Sequence, residues 1–149
     1  MRLTRGLVVV AVGLACVLSS APSRAMMLSK EFAFKPHVEL VIGAEVRDGQ
    51  QGVRLDTVQF LFPDTTKMVR FSNAIKVDVS LSNTGTEAQK VGVAIALYAD
   101  DGALVGVASG GSKWMAIKPD RRSFYTLKFA DVNSRISEAT RFRVTLETR

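Results

Sequence analysis

Few residues in this chain have the types and spacing that chemistry needs. It has one histidine, His37, and one cysteine, Cys16, in 149 residues. A Ser-His-Asp arrangement would have to recruit His37, which stands at the head of an alternating run on its outward parity, where a histidine is merely solvated. No Gly-x-Ser-x-Gly nucleophile turn is present. Zinc requires three or four His, Cys or carboxylate ligands, and one histidine does not supply them. Calcium wants six to eight oxygens. Asp100 with Asp101 at one turn and Asp131 with Asn133 at another could contribute some. Yet Asp and Asn are what turns use anyway, because their side chains bond the local backbone. The expectation is no catalytic residue, no cofactor and no metal.

What remains is binding chemistry. Trp114 is the only tryptophan; it follows Gly110-Gly111 and precedes Met115. Exposed, it would anchor a sugar ring or a partner protein, as tryptophan does at hot spots. As the single large aromatic it is expected instead to pack against the core or cover an edge. Arg141 and Arg143, with Lys128 and Lys76, fall on outward parities of separate strands. Placed side by side they would form a basic ladder, and like charges facing each other across strands repel unless a partner compensates. Trp114, Met115, Arg141 and Arg143 are therefore the candidate binding surface.

The elements that must position them read as β. From Pro36, Val38, Leu40, Ile42, Ala44 and Val46 take every second position, the period of a strand with one buried face. Asp48-Gly49 then supplies a tight hairpin. Val53 and Leu55 share one parity while Val58, Phe60 and Phe62 take the other, which predicts a bulge near Asp56-Thr57. Pro63 ends that run, and a short piece from Met68 to Phe71 follows. Ile75, Val77, Val79 and Leu81 alternate cleanly, as do Val91, Val93, Ile95 and Leu97. Asp100-Asp101-Gly102 turns the chain into Ala103–Ala108, after which Gly110-Gly111 reads as a loosening. Lys118-Pro119-Asp120-Arg121 is another turn, leading to Tyr125, Leu127 and Phe129 on one parity. A helical turn is expected over Ser134–Ala139, before a last strand with Phe142, Val144 and Leu146 inside. Seven or eight short strands with turns every 8–12 residues and no amphipathic helix predict an all-β antiparallel sandwich.

Two stretches resemble a known family. Val79-Ser80-Leu81-Ser82-Asn83-Thr84-Gly85, followed by the run from Val93 to Gly102, is similar to the FxLYD group of bacterial immunoglobulin-like domains. Ile95 stands where that signature has Phe, Leu97 and Tyr98 match it, and Ala99 holds the place of its Asp, with Asp100 one position later. Lys118-Pro119-Asp120 and Phe124–Phe129 resemble its closing part. The likeness covers roughly residues 75–129. It implies an immunoglobulin-like sandwich and an envelope or surface module, and it transfers no catalytic residue.

The N-terminus carries an address. Arg2 and Arg5 precede an unbroken apolar run of 13 residues, Gly6 to Leu18, and Ser23-Arg24-Ala25 closes the segment. This is the layout of a secretory signal peptide, and the run falls short of the roughly 20 residues a membrane span needs. Residues 1–25 are thus expected to be the signal peptide, 26–35 a lead-in and 36–149 the sandwich domain. An alternative cut uses Cys16. Val12-Gly13-Leu14-Ala15 before it make a permissive lipobox, so Cys16 would become a lipidated N-terminus and residues 17–35 a tether.

Setting the first 25 residues aside also changes the charge. They hold three of the 20 basic residues and none of the 14 acidic ones, so the net charge falls from +6 to +3. That weakens any nucleic-acid reading. The remaining charge is uneven: residues 26–110 have 8 basic and 10 acidic groups, and residues 111–149 have 9 and 4. The chain therefore reads as a non-enzymatic, periplasmic or secreted module that binds an envelope protein or a surface polymer. A small glycan- or ligand-binding accessory domain using the Trp114 loop is the alternative, and a hydrolase a distant third. Membrane attachment is expected only through a lipidated Cys16.

Overall fold

The computed structural model describes residues 25–63, 74–130, 132 and 135–149. Eight strands follow one another: β1 (Met26–Ala33), β2 (Glu39–Asp48), β3 (Gln51–Leu61), β4 (Lys76–Asn83), β5 (Val91–Ala99), β6 (Leu104–Gly111), β7 (Arg122–Lys128) and β8 (Ala139–Thr148). A 3-10 turn, Ile136–Glu138, falls within the expected helical stretch. The strands form two antiparallel four-stranded sheets, ordered β1-β8-β5-β6 and β2-β3-β4-β7. Among the described residues the chain is an all-β sandwich of eight strands.

The inward faces meet in one core. Val53, Leu55, Val58 and Phe60 of β3 and Val77, Val79 and Leu81 of β4 face Val93, Ile95 and Leu97 of β5 and Phe142, Val144 and Leu146 of β8. Phe60 is the aromatic hub. Its ring lies 5.1 Å from Phe142 and 4.8 Å from Phe34, both edge to face, an arrangement that aligns ring edges with ring faces.

The phase change in β3 is a bulge, as its alternation predicts. Leu55 pairs with Leu81 and Thr57 with Ser80, so Asp56 is the extra residue and both halves of the strand keep their apolar side chains inward. Gly49 at φ 56° forms the two-residue β2–β3 hairpin. The β5–β6 turn closes on Gly102 at φ 88°, with the Ala103 amide donating to the Asp101 carboxylate at 2.9 Å. Asp101 is thereby used by its own turn. The short piece Met68–Phe71, Asp131, Asn133 and the whole 1–24 segment with Cys16 lie outside the described residues.

Three local expectations are corrected. Residues 26–33 are not a lead-in but β1, paired along its length with β8. Met26, Leu28 and Phe32 take inward seats, and the Phe32 ring lies tilted 5.4 Å from that of Phe142. The alternation is interrupted at Lys30, which occupies an inward seat of an edge strand, where a long stem can still carry its ammonium to water. The first alternating run begins later than its apolar spacing implies: Val38 is exposed, and His37 at φ 61° precedes β2. Gly110-Gly111 is not a loosening either, because both glycines lie inside β6 and pair with β5. A Cβ on Gly110 would come within 2.6 Å of the Leu127 side chain, and one on Gly111 would strike the Val91 carbonyl. Close approach, not slack, requires glycine there.

Candidate functional site

Trp114 is not packed. It is 90% exposed, against the expectation for a lone large aromatic. The reason lies three residues on, in Ile117, which takes the available core seat and is buried. Ile117 and Gln89 exchange backbone hydrogen bonds of 2.8 and 3.0 Å. Five residues earlier, the Ser112 amide donates to the Val91 carbonyl at 2.8 Å, and its hydroxyl lies 3.0 Å from the Tyr125 phenol. Between these two fastenings the chain must bow outward, and Trp114 and Met115 sit on the bow.

Asn83 holds the same loop from beneath. Its buried amide donates to the carbonyls of Ile117 (2.8 Å) and Glu87 (2.7 Å), and its side-chain oxygen accepts from the Gly85 amide at 2.9 Å. Its backbone meets the next turn, accepting from the Asp120 amide and donating to the Arg121 carbonyl. A side chain that donates twice and accepts once fits an amide and no other residue of that size. Asn83, within the Val79–Gly85 stretch, is thus the clamp of the β6–β7 loop. Pro119 and Asp120, with Asp120 at φ 54°, then form a tight turn closed by the Arg121 amide on the Lys118 carbonyl.

Beside the bow runs an open groove of about 760 Å3, lined by the loop and the first half of β7. Phe124 borders it on the outward face of β7, 73% exposed. The sequence reading missed Phe124. It stands on the polar parity next to Tyr125, and nothing in that alternation marks it, although an aromatic on a solvent parity is itself a signal. Trp114, Met115 and Phe124 thus form one exposed apolar cluster at the β6/β7 edge. Lys113, Lys118 and Arg121 surround it, all exposed, and none forms an ion pair among the described residues. The groove's hydroxyls are Ser112, Ser123 and Tyr125, and no histidine or carboxylate lines it. Such a lining can contact and orient; it has no proton acceptor placed against a nucleophile. Among the described residues no three of His, Cys, Asp and Glu gather as metal ligands do.

Arg141 and Arg143 are elsewhere. They lie in the half of β8 away from the bow, beside Tyr98 and Ala96, whereas Lys76 and Lys128 face each other across β4 and β7 of the other sheet. The four cations do not make a ladder. Arg141 and Arg143 both reach Glu31, each at 3.1 Å to a different carboxylate oxygen, and the Arg143 guanidinium sits 5.4 Å over the Tyr98 ring. The compensating partner that like charges require comes from β1.

A second ionic cluster centres on Asp56, which the β3 bulge turns to the outer surface of its sheet yet leaves largely buried. Arg54 donates to it at 2.7 Å, Arg122 lies 3.2 Å away, and the Ser82 hydroxyl donates to the same carboxylate. The hydrogen bond and charge of Asp56 hold the Arg54 guanidinium above its ordinary pKa. Nearby, the Thr84 hydroxyl and the Arg47 guanidinium hold Glu45 below the usual carboxylate range. These charges, from β2, β3 and β7, satisfy one another across the outer face of the sheet. His37 stands apart, its ring 4.6 Å from Phe62.

Compared with protein-family models, curated proteins and solved structures, the chain matches none.

Proposed function

We propose that this protein is a non-catalytic binding module of an exported, envelope-associated kind, and that it binds through the Trp114–Met115–Phe124 cluster. The observation that carries the reading is the 90% exposure of Trp114 on a loop fastened at both ends. Exposing a large aromatic costs solubility, and a rigid aromatic on a fixed bow loses little entropy when it is covered. The N-terminal arginines, apolar run and small-residue cut supply the envelope address.

The immunoglobulin-like reading has topological support. Strands β4 to β8 are divided between the sheets as strands B, C, C′, E and F of such sandwiches are, with β4 paired to β7 and β5 between β6 and β8. The seat beside β8, where a final strand G would lie, is taken by β1 from the N-terminus. Ile95, Leu97 and Tyr98, the residues that resemble the FxLYD signature, lie on β5 ahead of the Gly102 turn.

The test is retention of the full chain by isolated envelope fractions. Trp114→Ala should weaken retention tenfold or more, as loss of a hot-spot aromatic does, and leave the melting temperature unchanged. Retention equal to wild type would defeat the reading.

A further inference from the structure

We propose that the surface which the Trp114 cluster meets is a membrane carrying anionic lipid headgroups, with Trp114, Met115 and Phe124 entering the headgroup layer and Lys113, Lys118 and Arg121 lying against it. This rests on the binding role given above and names its partner.

Three features select a lipid surface over a protein. The apolar side chains project: Trp114, Met115 and Phe124 are 90%, 85% and 73% exposed, and the bow carrying two of them stands out from the edge where the sheets meet. A protein partner would need a matching pocket, whereas a fluid interface yields to any protrusion, and Trp settles by preference at headgroup depth. The rim is made of cations. Lys113 and Lys118 flank the two apex residues in sequence and Arg121 follows the next turn, while Asp120 is the one acid on that segment. Lys90 and Arg149 are exposed at the adjoining end of the sandwich, where Glu147 is tied to Arg149 at 3.0 Å. Cations around a projecting apolar tip match a negative plane with apolar material just beneath it. Two of the three groove hydroxyls that could read a defined partner are already engaged, since Ser112 and Tyr125 bond each other, and Asn83 is saturated by the loop.

Rigidity completes the argument. Ile117 in the core, the Gln89 bridge and the Ser112 bond keep the bow from folding its tryptophan inward. The apolar tips are therefore exposed before any membrane is met.

Trp114 is the sole tryptophan, so its emission reports this one side chain in the full chain. The N-terminal apolar run may be left in place, because it contributes no tryptophan signal whatever it associates with. The full chain is titrated with vesicles of phosphatidylcholine alone and of phosphatidylcholine mixed with phosphatidylglycerol. The expected result is a blue shift and protection from a soluble quencher on the anionic vesicles only. Lys113→Gln and Lys118→Gln should each weaken that transition about five-fold, since one such cation near an anionic surface contributes about that much, and added salt should weaken it further. Phe124→Ser should also shift the titration to higher lipid. Unchanged melting curves for these exposed-site variants would confirm that they still fold. Emission that stays at its solution position on anionic vesicles, or that shifts equally on neutral ones, overturns the proposal. If emission stays put while Trp114→Ala still loses envelope retention, the lipid assignment falls and the binding module stands. If Trp114→Ala keeps full retention, the binding role itself falls.

Discussion

Two regions stood out in the sequence as surfaces for a partner, the Trp114–Met115 stretch and the Arg141–Arg143 pair. On β8 the two arginines meet Glu31, which is more than a hundred residues away in the chain, and their charge is answered within the fold. On the β6–β7 loop the reverse happens. The smaller Ile117 enters the core, and the larger Trp114 is left in water with Met115 and Phe124. Residue type pointed to a charged surface and a packed tryptophan, whereas long-range pairing produces two arginines held on one shared carboxylate and an exposed aromatic. The contrast rests on which residues the opposite strand, or the next loop, brings alongside.

The sharpest way to break this contrast is through the clamp beneath the loop. Asn83→Asp keeps the shape but removes the donor, leaving the carbonyls of Glu87 and Ile117 facing a carboxylate. Each buried hydrogen bond contributes about 1 kcal/mol, and an unsatisfied buried group costs 1–3 kcal/mol. A loss of roughly 3–4 kcal/mol is expected, read as a fall in melting temperature of roughly 10 °C or more. A fall of only a degree or two would mean that the bow is not held from below.

Two neighbours three residues apart then separate packing from presentation. Ile117→Ala opens a cavity in a fully packed site and should cost about 3 kcal/mol in chemical denaturation. Trp114→Ala should change stability by less than about 0.5 kcal/mol, as exposed substitutions do. Equal costs for the two would return Trp114 to the core.

The legibility of the fold follows the same division. Alternation placed both halves of β3 around a bulge at Asp56, marked β4 and β5 correctly, and read the Gly49, Gly102 and Pro119 turns, because each of these is encoded within a few residues. β1 was hidden because Lys30 occupies an inward seat where an edge strand permits it. Gly110-Gly111 was misread because the close approach of Leu127 and Val91 is a contact across the fold. The candidate site was half legible. Trp114 and Met115 were flagged, but their exposure depends on the Ile117–Gln89 bridge. Phe124 joins them only because β7 is an edge strand beside that loop.

The arginine pair offers a smaller effect with a distinct signature. Glu31→Gln removes the one carboxylate shared by Arg141 and Arg143 and leaves two cations side by side. Half-exposed pairs of this kind contribute at most about 1 kcal/mol, so a loss near that figure is expected at low salt. Added salt should shrink it, because screening weakens both the lost attraction and the new repulsion. A loss independent of salt would mean that Glu31 acts through β1 packing and not through charge.

Asp120 tests the turn that follows the bow, with the smallest effect and the opposite sign. It holds φ at 54°, in the left-handed region that a side chain disfavours and glycine adopts freely. Its described contribution to the loop is its backbone amide on the Asn83 carbonyl, which glycine would retain. Asp120→Gly should therefore relieve strain at the cost of extra freedom in the unfolded chain. The balance should be a gain of about 0.5 kcal/mol, seen as a higher denaturation midpoint with an unchanged slope. The same substitution removes the acid between Lys118 and Arg121, so the rim of the Trp114 cluster becomes more positive without any change to the apolar tips. Stability and anionic-vesicle binding should rise together in this variant. A gain in stability with weaker vesicle binding would show that Asp120 contributes to the contact, and that the charge of the rim is not what draws the bow to its surface.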